Sequence, residues 1–205
     1  EADKDPVKGM GAAAFGAQMN QDPTPPEGAI FKHAGANRWK SVPAGARKII
    51  TVDCAFKDTK GSDFVAIQVW AVQLPHFYLI DQEYGRFGFG ATASAIARVK
   101  DRHPSAVGIY VEDKANGPAI IETLQGTIPG VVAWTPTGSK IARAEAVAPL
   151  FERNVWLPPD ALAPWIEEYI KELRKFPLTL HDDQVDATTM ALLILHNPMI
   201  SQYED

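Results

Sequence analysis

The apolar and polar positions divide the chain into a weakly patterned opening and a long stretch of alternating strands and helices. Lys48–Ala55 (KIITVDCA) is β-branched and apolar on both faces, as a strand at the centre of a sheet would be. Phe64–Gln73 and Phe77–Glu83 predict two more strands across a short turn at Pro75, which makes an antiparallel meander of three. Gly85, Gly88 and Gly90 mark a loop before a helix spanning about 91–102. Val107–Glu112 is a fourth strand, and Pro118 and Gly126 bracket the next helix. Val131–Trp134 is a short strand, and Ser139 is placed to cap a helix reaching about Arg153. Val155–Leu157 leads through two prolines to a helix over about 161–175. A last helix runs from Asp182 to Leu195 and stops before Asn197-Pro198. This order predicts an α/β fold with a mixed sheet.

The opening is different in kind. Lys8–Gln21 has a weak helical pattern broken by glycines, and Asp22–Gly28 is too proline-rich for helix or central strand, so it reads as a linker. Phe31 and Trp39 are expected to anchor the following segment onto the core. At 46% apolar and 22% charged, the 205 residues predict one soluble globular domain plus an extension. There is no run of 18 apolar residues and no signal-peptide pattern, so no membrane involvement is expected. A single cysteine, Cys54, excludes an internal disulfide and a cysteine-rich zinc site. The net charge of −5 argues against a general nucleic-acid binder but leaves room for a local basic patch. The first residue is Glu1 rather than Met, which suggests a piece of something larger.

The acidic residues change the picture. Asp183 and Asp186 lie three apart, hence on one helical face, and that face continues through Ala187, Met190 and Ile194. Two carboxylates at the head of a buried stripe cost free energy without a compensating cation or donor. Capping accounts for Asp182, and the macrodipole accounts for Asp183. Neither accounts for Asp186, one turn inside. Asp53 ends the first strand and Glu112 the fourth. If those strands are parallel neighbours, their carboxyl ends meet at one edge, where open α/β sheets build sites. Asp53 and Glu112 would then share a metal with the helix pair, and hard oxygen ligands suit Mg²⁺ or Mn²⁺. Two such ions roughly 3.5–4 Å apart clamp the attacking and leaving oxygens of a phosphodiester.

Several residues stay open at this level. Alternation sends Glu112 and Asp113 to opposite faces without saying which is the ligand. Asp63 suits a turn, and Asp81 suits solvent. Lys114 is either a phosphate contact or a surface lysine. His181 either orients a water or substrate or merely precedes the helix. Lys140 and Arg143 either touch a DNA backbone or form a solvated helix face.

Four stretches together resemble the ribonuclease H-like superfamily and, more narrowly, the carboxy-terminal nuclease domain of tailed-phage large terminase subunits. They are Thr51-Val52-Asp53-Cys54-Ala55 with Asp63, Val111 to Gly117, Gly138-Ser139-Lys140 with Arg143, and Phe176-Pro177 leading into His181 to Ala187. Phe15 to Pro23 with Glu27-Gly28 looks like the connector after a packaging ATPase. The resemblance implies a ribonuclease H-like mixed sheet flanked by helices and metal-dependent cleavage of concatemeric double-stranded DNA in the host cytoplasm. It implies catalytic roles for Asp53, Glu112 and Asp183, with Asp186 as a fourth metal ligand and Asp113, Asp182 and His181 as second-tier candidates. It also implies partners: a terminase ATPase domain, a portal and a small terminase subunit. Residues 1–47 would be the connector, 48–198 the nuclease and 199–205 a tail. Cys54 departs from the commoner proline at its position. The chain has no G-x-x-x-x-G-K-[ST] sequence and so no ATPase loop of its own. Two other readings keep the fold: a resolvase or RNA-strand nuclease, and a non-catalytic docking module of a packaging motor.

Overall fold

In a computed structural model of the chain, residues 29–54, 63–114 and 117–196 are described. The weak helix at Lys8–Gln21, the linker at Asp22–Gly28 and the tail at 199–205 lie outside them. Three strands come first: β1 (Arg47–Asp53), β2 (Asp63–Gln73) and β3 (His76–Phe87). Helix α1 (Phe89–Arg102) follows, then β4 (Ala106–Glu112), α2 (Gly117–Gln125), β5 (Val131–Trp134) and α3 (Lys140–Val147). A 3₁₀ turn at Ala148–Glu152 leads to β6 (Val155–Trp156), α4 (Ile166–Lys175) and α5 (Asp183–His196). The six strands form one mixed sheet in the order β5-β4-β1-β2-β3-β6. The β1–β2 and β2–β3 pairs are antiparallel, and β4 runs parallel to both β1 and β5.

The sheet is buried on both faces, which is why β1 has no polar side. Ile50, Val52, Ile67, Val69, Ile109 and Val111 meet Ile96 and Val99 of α1 and Ile120 and Leu124 of α2. On the other face Ile49, Trp70, Leu79 and Tyr110 meet α4 and α5 through Tyr169, Ile170, Met190 and Ile194. Helix α5 is apolar nearly all round and is buried from Gln184 through Leu192, as expected of a helix enclosed by a sheet and two other helices. Before β1, Phe31 is fully buried against Phe151 and Phe176. The Trp39 indole donates to the Leu79 carbonyl at 2.8 Å, so both aromatics are the anchors their pattern suggested.

Three boundaries and the surroundings of one acid differ from expectation. β3 runs on to Phe87, so Gly85 is a strand residue rather than a loop residue. The helix begun at Ser139 ends at Val147, where Pro149 interrupts the α pattern and the chain tightens to a 3₁₀ turn. The helix expected from about 161 starts only at Ile166, because Pro164 leaves turns in front of it. Asp81 is partly buried and paired rather than free in solvent: it accepts from Arg102 at 3.0 Å and pairs with His103 at 2.9 Å.

Candidate metal centre

Strand pairing brings the acids together. Asp53 is opposite Ala66 on β2, and Thr51 is opposite both Gln68 on β2 and Tyr110 on β4. Residues 51 and 53 share a face by alternation, as do 110 and 112, so Asp53 and Glu112 project together from neighbouring parallel strand ends towards α5. Asp113 takes the other orientation; its backbone N–H donates to the Trp134 carbonyl at 2.8 Å, continuing the β4–β5 pairing. Register thus decides between the two acids: Glu112 is buried in the cleft, and Asp113 does not line it.

Helix α5 supplies the third side. Its first turn crosses β1, where the Thr51 hydroxyl donates to the Ala187 carbonyl at 3.0 Å and fixes the helix against the strand. Asp53, Glu112 and Asp186, all buried, each offer a carboxylate oxygen within 4.8 Å of the others. Asp183 and Asp182 line the same cavity of about 230 Å³. Asp183 is half-buried, whereas Asp186 is about as buried as Asp53.

The charges are unevenly compensated. Asp186 accepts from Arg143 Nη2 at 2.8 Å and pairs with Lys140 Nζ at 2.5 Å. Lys140 also bonds Asp182 at 2.8 Å, and Lys114 lies 3.2 Å from Glu112. Among the described residues Asp53 has no such cation, and its Oδ1 is buried without a hydrogen-bond partner. Burial first, then repulsion from Asp186, Glu112 and Asp183, pushes the Asp53 carboxyl well above the usual carboxylate range. Burial also raises Asp186, against the opposing hydrogen bond from Lys140, and lifts Asp183 to about 6. An unpartnered buried carboxylate oxygen beside two more carboxylates is a donor set that fits a hard divalent cation.

Lys140 and Arg143 both project from α3 onto the acids, Arg143 buried and Lys140 exposed. Gly138 takes a positive φ of 74°, a turn that favours glycine, and Ser139 Oγ then accepts from the Ala142 N–H at 3.1 Å to start the helix. That turn aims Lys140 at Asp182 and Asp186. Arg143, one turn on, is buried with its guanidinium 5.8 Å over the Trp134 ring, which corrects the solvated reading for Arg143, whereas Lys140 stays exposed although paired. His181 packs its ring 4.4 Å from that of Phe64 at the wall of the cavity.

A family model described as the terminase RNaseH-like domain matches residues 50–195. The chain belongs to that family. Among solved structures, the human cytomegalovirus terminase nuclease domain aligns with a TM-score of 0.61 at 14% identity, covering 84% of this chain and 95% of that one. The large terminase nuclease of the thermophilic phage G20c gives 0.58 at 16%, covering 86% and 99%. The large terminase of another thermophilic bacteriophage gives 0.60 at 12%. That match takes in 82% of this chain but only 45% of the other, so the chain spans less than half the length of that protein. The cytomegalovirus domain is also known manganese-soaked with an inhibitor, and the G20c nuclease with bound zinc. No curated protein matches. At these identities the structures support a common fold, the ribonuclease H-like mixed sheet. No helix among the described residues is long and apolar enough to cross a membrane.

In this terminase RNaseH-like domain, one residue beneath the site has no counterpart in the sequence reasoning. Glu172 of α4 is buried, and one of its oxygens accepts the backbone N–H groups of Gln184 at 2.9 Å and Val185 at 3.2 Å. A carboxylate from α4 therefore caps α5. Gln184 continues the chain of bonds to Gln82 at 2.7 Å, and Gln82 accepts from Gln68 at 2.9 Å. The available signal was an acid among Tyr169, Ile170, Leu173 and Phe176 on the buried stripe of α4. Phe64 and Arg86, which line the cavity opposite the acids, were missed as well.

Proposed function

We propose that this chain is the divalent-metal-dependent endonuclease domain of a phage DNA-packaging terminase, cutting concatemeric double-stranded DNA in the host cytoplasm. The observation that carries it is the buried trio Asp53, Glu112 and Asp186 around an unpartnered Asp53 oxygen. Asp53, Glu112 and Asp186 would hold Mg²⁺ or Mn²⁺, with Asp183 at the open side of the same cleft as a further ligand. Two such ions supply the Lewis acidity that makes a water nucleophilic and neutralises charge on the leaving 3′ oxygen.

The chain's own residues do the rest. Thr51 and Glu172 hold the first turn of α5 so that Asp183 and Asp186 face the strand ends. Arg143 and Lys140 orient both oxygens of Asp186, and Lys114 steadies Glu112. Burial strengthens the Arg143–Asp186 pair, whereas Lys140 and Lys114 are about half exposed and their pairs are screened by solvent. Family membership supports a packaging role, in which residues 1–47 connect to an ATPase domain, 48–198 form the nuclease and 199–205 a tail. Portal and small terminase subunit would then be partners. The test is nicking and linearisation of supercoiled plasmid with Mn²⁺, Mg²⁺ or EDTA. Metal-dependent cleavage lost in Asp53→Asn supports the reading. A well-folded protein that cuts only branched or hybrid substrates, or none even when joined to its ATPase domain, contradicts it.

A further inference from the structure

Arg86 is the charged residue of the cleft whose position the acids do not explain. Lys114, Lys140 and Arg143 each pair with a carboxylate of the site. On the opposite face of the sheet Arg98 and Arg102 pair with Glu83 and Asp81. Arg86 makes no ion pair or hydrogen bond among the described residues. It is held by shape: cross-strand pairing sets it beside Phe64, and its guanidinium lies 4.8 Å over that ring. The ring is itself braced by Tyr84, stacked at 5.1 Å, and by His181 at 4.4 Å. A guanidinium stacked this way leaves its N–H groups without a partner among the described residues, and their fork geometry matches a phosphate. Beside it Leu180 is 91% exposed, and Leu178, at the mouth of the neighbouring groove, is 77% exposed. Single exposed leucines need no explanation. Leu180 shares the acidic cleft with the Arg86 cation and Leu178 lines the groove next to it, which makes a mixed apolar and cationic wall. A nucleic-acid strand has the matching surface, with anionic phosphates alternating with apolar sugar and base faces.

We infer that Phe64, Arg86 and Leu180 form a strand-gripping subsite, in which Arg86 takes a phosphate next to the one at the acidic centre and Leu180 packs against the adjoining sugar or base. The inference rests on the nuclease reading and adds to it the surface that holds the DNA in place. The acidic trio repels the backbone it must act on, so a cation anchored on an aromatic rather than on one of those acids is what lets the strand approach.

Fluorescence anisotropy of a labelled linear DNA duplex, in EDTA and from 50 to 200 mM NaCl, tests it on the whole chain. Arg86→Ala should weaken binding by about fivefold at the low-salt end and reduce the slope of log K against log salt by about 1. Arg86→Lys should keep the slope while regaining only part of the affinity, because an ammonium binds phosphate as a point charge. Leu180→Ser should weaken binding at every salt concentration with the slope unchanged. Arg153→Ala, which removes an exposed arginine elsewhere, should change neither. An Arg86→Ala slope equal to wild type, an equal loss from Arg153→Ala, or a wild type that does not bind duplex overturns the subsite. Plasmid cleavage reports separately on the nuclease reading. A protein that binds through Arg86 but never cuts would sink that reading and leave the subsite standing.

Discussion

Lys140 Nζ lies 2.5 Å from Asp186 and 2.8 Å from Asp182, inside the cavity that Asp53 and Glu112 also line. Burial works against that ammonium, yet its hydrogen bonds to the two aspartates outweigh burial and raise its proton affinity. The side chain acts as a resident cation among the carboxylates. Lys140→Met should lower the melting temperature without metal and enlarge the gain on adding millimolar Mn²⁺, each by a few degrees, or about 1 kcal/mol. A Mn²⁺ gain equal to that of wild type would contradict the competition.

Asp53 behaves oppositely, because among the described residues it has neighbours of its own sign and no paired cation. Asp53→Asn removes the repulsion and should raise the metal-free melting temperature by a few degrees at pH 8. The same change should abolish the Mn²⁺ gain, since the orphaned oxygen is lost. Thermal melts of both proteins with and without Mn²⁺ check the pair of effects. Destabilisation without metal would count against the electrostatic account.

The main elements and the acids of this site were legible because each rests on a local pattern. A β-branched run ending in Asp53, a second ending in Glu112, and an apolar helix opening with Asp183 and Asp186 need no long-range information. What decided between Glu112 and Asp113 was the β1–β4 register, which no single segment encodes. The cleft wall was hidden for a related reason. A regular hairpin continuing the pairing of Gln73 with His76 would set Phe64 opposite Gly85. A bulge at Ile80, between the Val69–Asp81 and Trp70–Leu79 pairs, shifts the register by one and brings Arg86 over Phe64 instead. Glu172 escaped because its partners, two backbone N–H groups and the Gln184 side-chain amide, belong to another helix, twelve and thirteen residues away in sequence.

Removing that cap should be felt at the site. Glu172→Ala leaves two N–H groups of α5 without their acceptor, at a cost on the order of 2 kcal/mol. Glu172→Gln keeps an acceptor oxygen. Burial lifts the Glu172 carboxyl from 4.5 to about 7. A folded-state value above the unfolded one means that stability is fully present below about pH 4.5 and is lost as pH rises through about 7. Asp183, raised to about 6, adds in the same direction. Urea unfolding from pH 4.5 to 8 should therefore show a decline in wild type and a shallower one in Glu172→Gln. Parallel profiles would rule out Glu172 as a source of the decline.

Asp81 has the reverse sign. The hydrogen bond with His103, then burial against it and the contacts with Arg102, leave its carboxyl lowered from 3.8 to about 2. Its contribution is present above about pH 3.8 and is lost as pH falls through about 2. Asp81→Asn should cost up to about 2 kcal/mol at pH 5, and the difference from wild type should shrink towards pH 2. Acid unfolding curves of the two proteins make the comparison; a constant gap across that range would exclude the ion-pair cause.

The acids at the ends of β1 and β4 and at the head of α5 are proposed to form a metal centre. Anomalous diffraction from crystals soaked in Mn²⁺, collected at the manganese edge, tests it directly. The account predicts a peak between Asp53, Glu112 and Asp186, with Asp53 Oδ1 among the ligands and Lys140 withdrawn from Asp186. Full soaking with no peak there, and Lys140 still seated on Asp186, would contradict it.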